Sequence, residues 1–263
     1  MKKGVFRKQL AIPYALFLLV FVILPLFVVL YYAFTDGQGQ PSIDNFLHFF
    51  TNGRTMGTLV YSMGIAITTT VVCLAIAYPL AYFLAKSGWK RGNVLLMLFV
   101  LPMWINFTLR MTALKEILTV LEGNLAYYPF LNTVIGMVYD FLPYMVLPLY
   151  QALEKIDHGY EEAAADLGAA RWQVIIRVIL PLSIPGIVSG VTMVFLPAMT
   201  NYVVLDMVYN STYIMGSLIG SYFNAYDWHN GSVVSIVLLG IIVLGTYLSD
   251  KSQKQEEGRE AVQ

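Results

Sequence analysis

Charge is scarce in this chain of 263 residues: Asp, Glu, Lys and Arg make up 12% of it, about half the roughly 25% of a soluble domain. With 58% of its residues apolar and a mean hydropathy of +0.66, the composition excludes an ordinary water-solvated globule. Cys73 is the single cysteine, which excludes internal disulfides and any cysteine-based zinc site. Within its apolar stretch it reads as a small buried hydrophobe. The three histidines, His48, His158 and His229, are scattered, so no metal cluster or catalytic base is expected. No G-x-x-x-x-G-K-[ST] loop is present, so the chain has no phosphate cradle of its own for ATP. No protease or hydrolase constellation is visible. The expectation is a protein that is not an enzyme, with no cofactor, no metal and no nucleic-acid partner.

What remains is apolar sequence in long runs. A bilayer core about 30 Å thick asks for about 20 apolar residues per helix. Six runs meet that need, at residues 10–34, 59–85, 93–113, 132–153, 176–200 and 231–249. The first follows Lys2, Lys3, Arg7 and Lys8, as in a signal peptide, but it exceeds the usual 7–15 apolar residues and lacks an A-x-A cleavage site. An uncleaved signal-anchor helix is expected, in contact with membrane lipid. The predicted fold class is therefore an all-α membrane protein of six transmembrane helices.

Orientation follows from lysine and arginine in the loops. With the N-terminus inside, thirteen of the 16 cationic residues fall on the cytoplasmic side, leaving Arg54, Arg110 and Lys115 outside. Both termini and the loop at 154–177 are thus expected to be cytoplasmic. Residues 1–249 form the six-span transmembrane domain in this reading, and the polar residues 250–263 a frayed cytoplasmic tail. The outer loops run at 35–58, 114–131 and 201–230, the first and last long enough for short helices. In the inner loop at 86–92, Trp89 is expected at headgroup level. Pro13, Pro25, Pro79, Pro102, Pro143, Pro148, Pro181, Pro185 and Pro197 punctuate the spans; each removes a backbone donor and favours a kink. Gly186 and Gly190 form a G-x-x-x-G pair that permits close helix approach, within the chain or towards another subunit.

One cytoplasmic segment breaks the apolar pattern. Asp157 is placed to cap a short helix, with Glu161 and Glu162 near its positive end. Ala163, Ala164 and Leu167 share a face by the i, i+3 and i, i+4 rule, and alanines keep that face shallow enough to enter a groove on a partner. Gly168 suits a left-handed stop. A second helix through Trp172, Val174 and Ile175 leads back to Leu180-Pro181. On local physics alone, an interfacial helix that merely packs under the spans is an equal reading.

Glu162-Ala163-Ala164, three residues, Gly168, nine residues, then Val178-x-Leu180-Pro181 resembles the EAA loop of ABC importer permeases, with Val178 where that pattern has isoleucine. The resemblance implies a MetI-like, type I importer bundle whose coupling loop, at 154–181, sits in a cleft of an ATP-binding subunit. Glu161, Glu162, Ala163, Ala164, Asp166, Leu167 and Gly168 would make that contact. More of the chain narrows the likeness. Leu101-Pro102-Met103-Trp104-Ile105-Asn106, Leu142 through Tyr150, Leu196-Pro197-Ala198-Met199 with Asp206, and Asp227-Trp228 resemble the spermidine/putrescine permeases of the PotB type. By resemblance the partners are two copies of an ATP-binding subunit, a second, PotC-like permease, and an extracytoplasmic polyamine-binding protein.

A polyamine needs carboxylates at intervals with aromatic faces between them, each ring being worth about 0.5–2 kcal/mol to a desolvated cation. Asp36, Asp44, Glu116, Glu122, Asp206 and Asp227 lie on or near the outer side, with Tyr202, Tyr209, Tyr222, Tyr226 and Trp228 interleaved among the last two. Tyrosine and tryptophan also gather at membrane interfaces regardless of substrate. The candidate pathway residues are Trp104, Asp140, Asp206, Tyr222, Asp227 and Trp228. Asp140 is singled out because an ionisable group at membrane depth is costly and faces an interior; Arg110, repulsive to a cation if bare, is expected to be paired. Two rivals stand beside this reading: an importer permease for thiamine, an amino-acid derivative or a metal complex, and an ATP-independent channel or secondary transporter.

Overall fold

A computed structural model describes residues 12–86, 92–208 and 212–260. The basic N-terminal cluster, Trp89, Tyr209 and the last three residues lie outside the described residues. In chain order the helices are α1 (Ile12–Ala33), α2 (Asp44–Thr51), α3 (Gly53–Lys86), α4 (Gly92–Val100), α5 (Phe107–Glu122), α6 (Pro129–Lys155) and α7 (His158–Asp166). There follow α8 (Arg171–Leu182), α9 (Ile184–Ala198), α10 (Tyr202–Met207), α11 (Met215–Asn224) and α12 (Trp228–Glu260). No strand occurs among the described residues; one isolated bridge joins Thr35 and Pro41.

By length and composition, four of these helices can cross a membrane: α1, α3, α6 and the Trp228–Tyr247 part of α12. The count reaches six only if two bent pairs are each one span. The third span expected at 93–113, with a kink favoured at Pro102, is one of them. Pro102 lacks an N–H, and the chain tightens into a 3₁₀ turn at Leu101–Trp104, then extends at Ile105. Asn106 restarts the helix by accepting the Leu109 N–H at 3.3 Å on its side-chain oxygen, so the two halves meet at 95°. The other pair is α8 and α9, bent by 68° where Pro181 and Pro185 remove donors on either side of Ser183. The Ser183 N–H and hydroxyl, both donating at 2.9 Å to Ile179 O and Leu180 O, cap the first half. Pro79, Pro143 and Pro148 lie inside uninterrupted helices, so proline alone does not mark the breaks. The backbone of α12 stays helical through Glu260, and the frayed tail expected from residue 250 is not seen over that stretch. The outer loop expected at 114–131 is helical as far as Glu122.

Contacts divide the chain into two units. The first comprises Met1–Thr58 and Ser217–Ile241. In it, Ala33 is the one buried residue of α1. Such a bare apolar helix requires lipid or another subunit around it. The loop after α1 is closed by its own polar groups. The N–H groups of Gln40 and Gln38 donate to Asp36 Oδ1 at 2.9 Å and hold its carboxyl below the ordinary carboxylate range. Asn45 donates to Thr35 O at 2.8 Å.

The second unit comprises Leu59–Gly216 and Ile242–Gln263, with a core that includes Ile65, Met111, Met137, Met145, Leu149, Leu153, Ile179 and Met199. An extensive contact packs α9 on α6. Gly186 and Gly190 face α6, so the G-x-x-x-G pair joins two helices of the same chain. A Cβ on Gly186 would lie 2.5 Å from Ala152 Cβ and 2.9 Å from Pro148 O. One on Gly190 would lie 2.6 Å from the Met145 sulfur. In the same unit the buried Ser62 hydroxyl accepts the Met215 N–H at 2.9 Å, across 153 residues of sequence.

Candidate functional site

The segment singled out in the sequence folds as a short helix with defined ends. Asp157 Oδ1 accepts the Gly159 N–H at 2.7 Å, satisfying one of the orphan donors at the start of α7. At the other end Gly168 takes φ +83°. The Gly168 N–H reaches Ala165 O at 2.9 Å and the Ala169 N–H reaches Ala164 O at 3.1 Å, the paired bonds of a Schellman stop. Nothing lies within 4 Å of a Cβ built on Gly168, so the requirement for glycine is one of backbone angle and not of space. Asp157→Ala should remove about 1 kcal/mol of local helix stability. It would be seen as faster amide exchange over residues 158–162 with exchange in α6 unchanged.

The nine residues of α7 present a small-residue surface to the outside. Glu162, Ala163, Asp166 and Gly168 are exposed and Leu167 is 89% exposed, while Glu161 and Ala164 are half-buried. An apolar side chain held almost wholly in solvent at the end of a rigidly capped helix is placed for a partner. Glu161, grouped with the docking residues in the sequence, turns inward instead: its Oε1 lies 3.3 Å from Lys86 Nζ at the end of α3. The chain then returns through α8, whose Gln173 side chain accepts the Ala170 N–H at 2.9 Å and whose Ile175–Ile179 stretch is a π-helical turn.

Deeper in the same unit, Arg110 of α5 donates through Nη2 to Asp140 Oδ1 of α6 at 2.8 Å, with both side chains over 90% buried. Arg110 thus finds the acid that its apolar surroundings demand, and Asp140 meets a cation supplied by its own chain. The guanidinium also lies over the Tyr139 ring, 5.9 Å from its centroid, whereas its Nε and Nη1 are buried without a hydrogen bond among the described residues. Asp206 is exposed on α10, which packs against α5 and α6. Trp104 stands at the 95° break and is 84% exposed. No hydrogen bond or ring contact joins Trp104, Asp140 and Asp206 to one another among the described residues.

The remaining candidates belong to the other unit and meet at one turn. The Asp227 N–H donates to Tyr222 O at 2.9 Å, and Asp227 accepts from the Asn230 side-chain amide at 2.8 Å and its N–H at 3.2 Å. Between them Tyr226 adopts φ +59°, unusual for a side chain of its size. Trp228 is ringed by Phe223 at 5.4 Å, Tyr226 at 6.5 Å and, stacked at 6.1 Å, Tyr32 of α1. His229 fixes Tyr32 from behind, its Nδ1 lying 2.9 Å from Tyr32 O. Aromatic faces beside a carboxylate suit a desolvated organic cation. Tyr32 and Lys86 were missed in the sequence: the first is 196 positions from Trp228 in the printed chain, and the second counts only as a topological charge. Only the low exposure of a lysine at a span end marks it as more.

Comparison with known proteins places the chain in a family. Residues 77–255 match the family described as binding-protein-dependent transport system inner membrane component. The chain is 38% identical over 206 residues, 72% of its length and 74% of the relative's, to the spermidine/putrescine transport system permease protein PotB of Escherichia coli strain K12. It is 36% identical over 259 residues to the PotB permease protein of Haemophilus influenzae, covering 89% of this chain and 90% of that one. In fold it resembles a chain of a bacterial alginate ABC transporter crystallised with its pentasaccharide-bound periplasmic protein, at a TM-score of 0.73, 14% identity and 96% coverage of both chains. With its apolar spans and the match over residues 77–255, the chain belongs to the binding-protein-dependent transport system inner membrane components, a family of multi-pass transport permeases.

Proposed function

We propose that this chain is the permease subunit of an ATP-driven polyamine importer, forming one half of the translocation pathway beside a second, PotC-like permease. The observation that carries the reading is α7, a helix closed at both ends that leaves Ala163 and Leu167 exposed. It would dock into one of two ATP-binding subunits. The polyamine assignment is supported by relatives named for spermidine and putrescine that cover most of the chain, and by the carboxylate and aromatic rings at the Tyr222–Trp228 turn. Both termini face the cytoplasm in this reading, following the lysine and arginine distribution, and an extracytoplasmic binding protein delivers the substrate. ATP-driven closure of the ATP-binding subunits would move α7 and alternate access to the pathway. Trp104, Asp206 and the Asp227–Trp228 pair are the groups offered to the passing ammonium.

ATP-dependent uptake of labelled spermidine and putrescine into vesicles tests this, with the chain reconstituted beside its partner subunits. Glu162→Lys should lower uptake about tenfold or more, the effect of roughly 1.4 kcal/mol lost at the docking contact. ATP hydrolysis without movement of either polyamine would remove the substrate assignment and leave the importer; polyamine movement in vesicles lacking any ATP-binding subunit would remove the importer.

A further inference from the structure

Lys86 occupies a junction that its role in membrane topology does not require. Its side chain is 5% exposed. Its ammonium donates to Ile156 O, the carbonyl at the end of α6, and lies 3.3 Å from Glu161 Oε1 in the first turn of α7. Among the described residues no donor is aligned on that oxygen for a directional hydrogen bond, so the contact between Lys86 and Glu161 is Coulombic. Lys86 is itself the last residue of α3. One cation therefore sits at the negative ends of two helices, where their dipoles favour it, and against Glu161, an acid that the positive end of a third helix favours. Two turns earlier on α3, the Tyr78 hydroxyl lies 3.0 Å from Ser183 Oγ. The Ser183 proton already goes to Leu180 O, so Tyr78 is the donor. The helix α3 thus holds the loop at its entry, through Ile156 and Glu161, and at its exit, through the bend between α8 and α9.

We infer that Lys86 is a positioning residue that fastens the docking helix to α3, so that displacement of α7 is passed to that span as well as to α6 and α8, its neighbours in sequence. The inference rests on the proposed docking of α7 to an ATP-binding subunit. It assigns separate roles to two adjacent acids: Glu162 faces outward to the partner, and Glu161 faces inward to Lys86.

The test uses the complete reconstituted transporter and reads labelled spermidine taken up per ATP hydrolysed. Lys86→Met keeps the aliphatic stem and removes the charge. Uptake per ATP should fall at least about fivefold, the lower end for a coupling contact, while Lys86→Arg restores most of it. A merely structural lysine would lower the amount of assembled transporter without changing that ratio. A ratio for Lys86→Met within about twofold of wild type, well below that range, overturns the proposal. If Lys86→Met does not assemble, Glu161→Gln is measured instead, because it leaves the bond from Lys86 to Ile156 O in place; an unchanged ratio there overturns it equally. A wild-type transporter that neither binds the ATP-binding subunit nor hydrolyses ATP counts against the docking reading itself, and is distinguished from failure of the clamp by that control.

Discussion

Gly186→Leu leaves no folded, detergent-extractable permease. The backbone of α9 lies so close to α6 that even a Cβ at this position would meet Ala152 Cβ at 2.5 Å and Pro148 O at 2.9 Å. The second obstacle is main chain, which cannot rotate away as a side chain can. Over-packing a close-fitted interior costs about 1–3 kcal/mol where side chains can yield; with backbone in the way, the upper end of that range or more is expected. The contact concerned is also an extensive one. Gly240→Leu is the matched control, because an added Cβ there meets nothing within 4 Å and the residue is exposed. Monodispersity by size-exclusion chromatography in detergent, with yield compared at equal expression, separates the two. A monodisperse Gly186→Leu protein at normal yield would contradict the packing described.

Asp140→Leu comes second in expected effect. It strands the guanidinium of Arg110, a residue 92% buried, with two further nitrogens that already lack hydrogen bonds among the described residues. Removing one partner of a buried pair costs about 3–5 kcal/mol, whereas replacing both with apolar groups is often neutral or stabilising. Arg110→Met combined with Asp140→Leu should therefore melt near the wild-type temperature, although Asp140→Leu alone melts far below it. Differential scanning fluorimetry on the purified variants checks both values. Uptake by the stable double variant then asks a separate question. If transport persists, the pair is architectural; if transport is lost while ATP-binding subunits still assemble, the pair belongs to the passage. Finding the double variant as unstable as the single one would show that the ion pair itself, and not the stranded charge, carries the effect.

The parts of this molecule that were legible in the sequence are those governed by local rules. Asp157, the small residues after it and Gly168 specify a helix with both its ends, because caps and stops act within a few residues. Their long register with Leu180-Pro181 is what made the loop recognisable. Apolar runs located the spans, but a hydropathy window measures composition and carries no direction. It could not distinguish a straight third span from one turned by 95° at Trp104–Phe107. Nor did the prolines decide that, since Pro79 and Pro143 stay within helices where Pro102 does not. For Arg110 the need for a partner followed from the repulsion that a bare guanidinium would exert on a passing cation, and the structure supplies Asp140, 30 residues away. Glu161 and Glu162 are adjacent and chemically alike, and only the rotation of α7 against Lys86 tells which one looks inward. Of the candidate pathway residues, Tyr222, Asp227 and Trp228 meet at one turn because they are sequence neighbours; Tyr32 joins them through tertiary packing that no local pattern records.

The bond between Met215 N–H and Ser62 Oγ has a bearing on how the chain is made. Its two ends are separated by 153 residues and both are buried. During synthesis from the N-terminus, Ser62 enters the bilayer long before residue 215 leaves the ribosome, and the intervening residues include both bent pairs. At about 5–20 residues per second, the interval is on the order of ten seconds. Throughout it the Ser62 hydroxyl faces lipid, an insertase or a temporary helical neighbour. Polypeptides stalled shortly before residue 215 should accordingly remain crosslinkable to the insertion machinery through position 62, and full-length chains should be released from it.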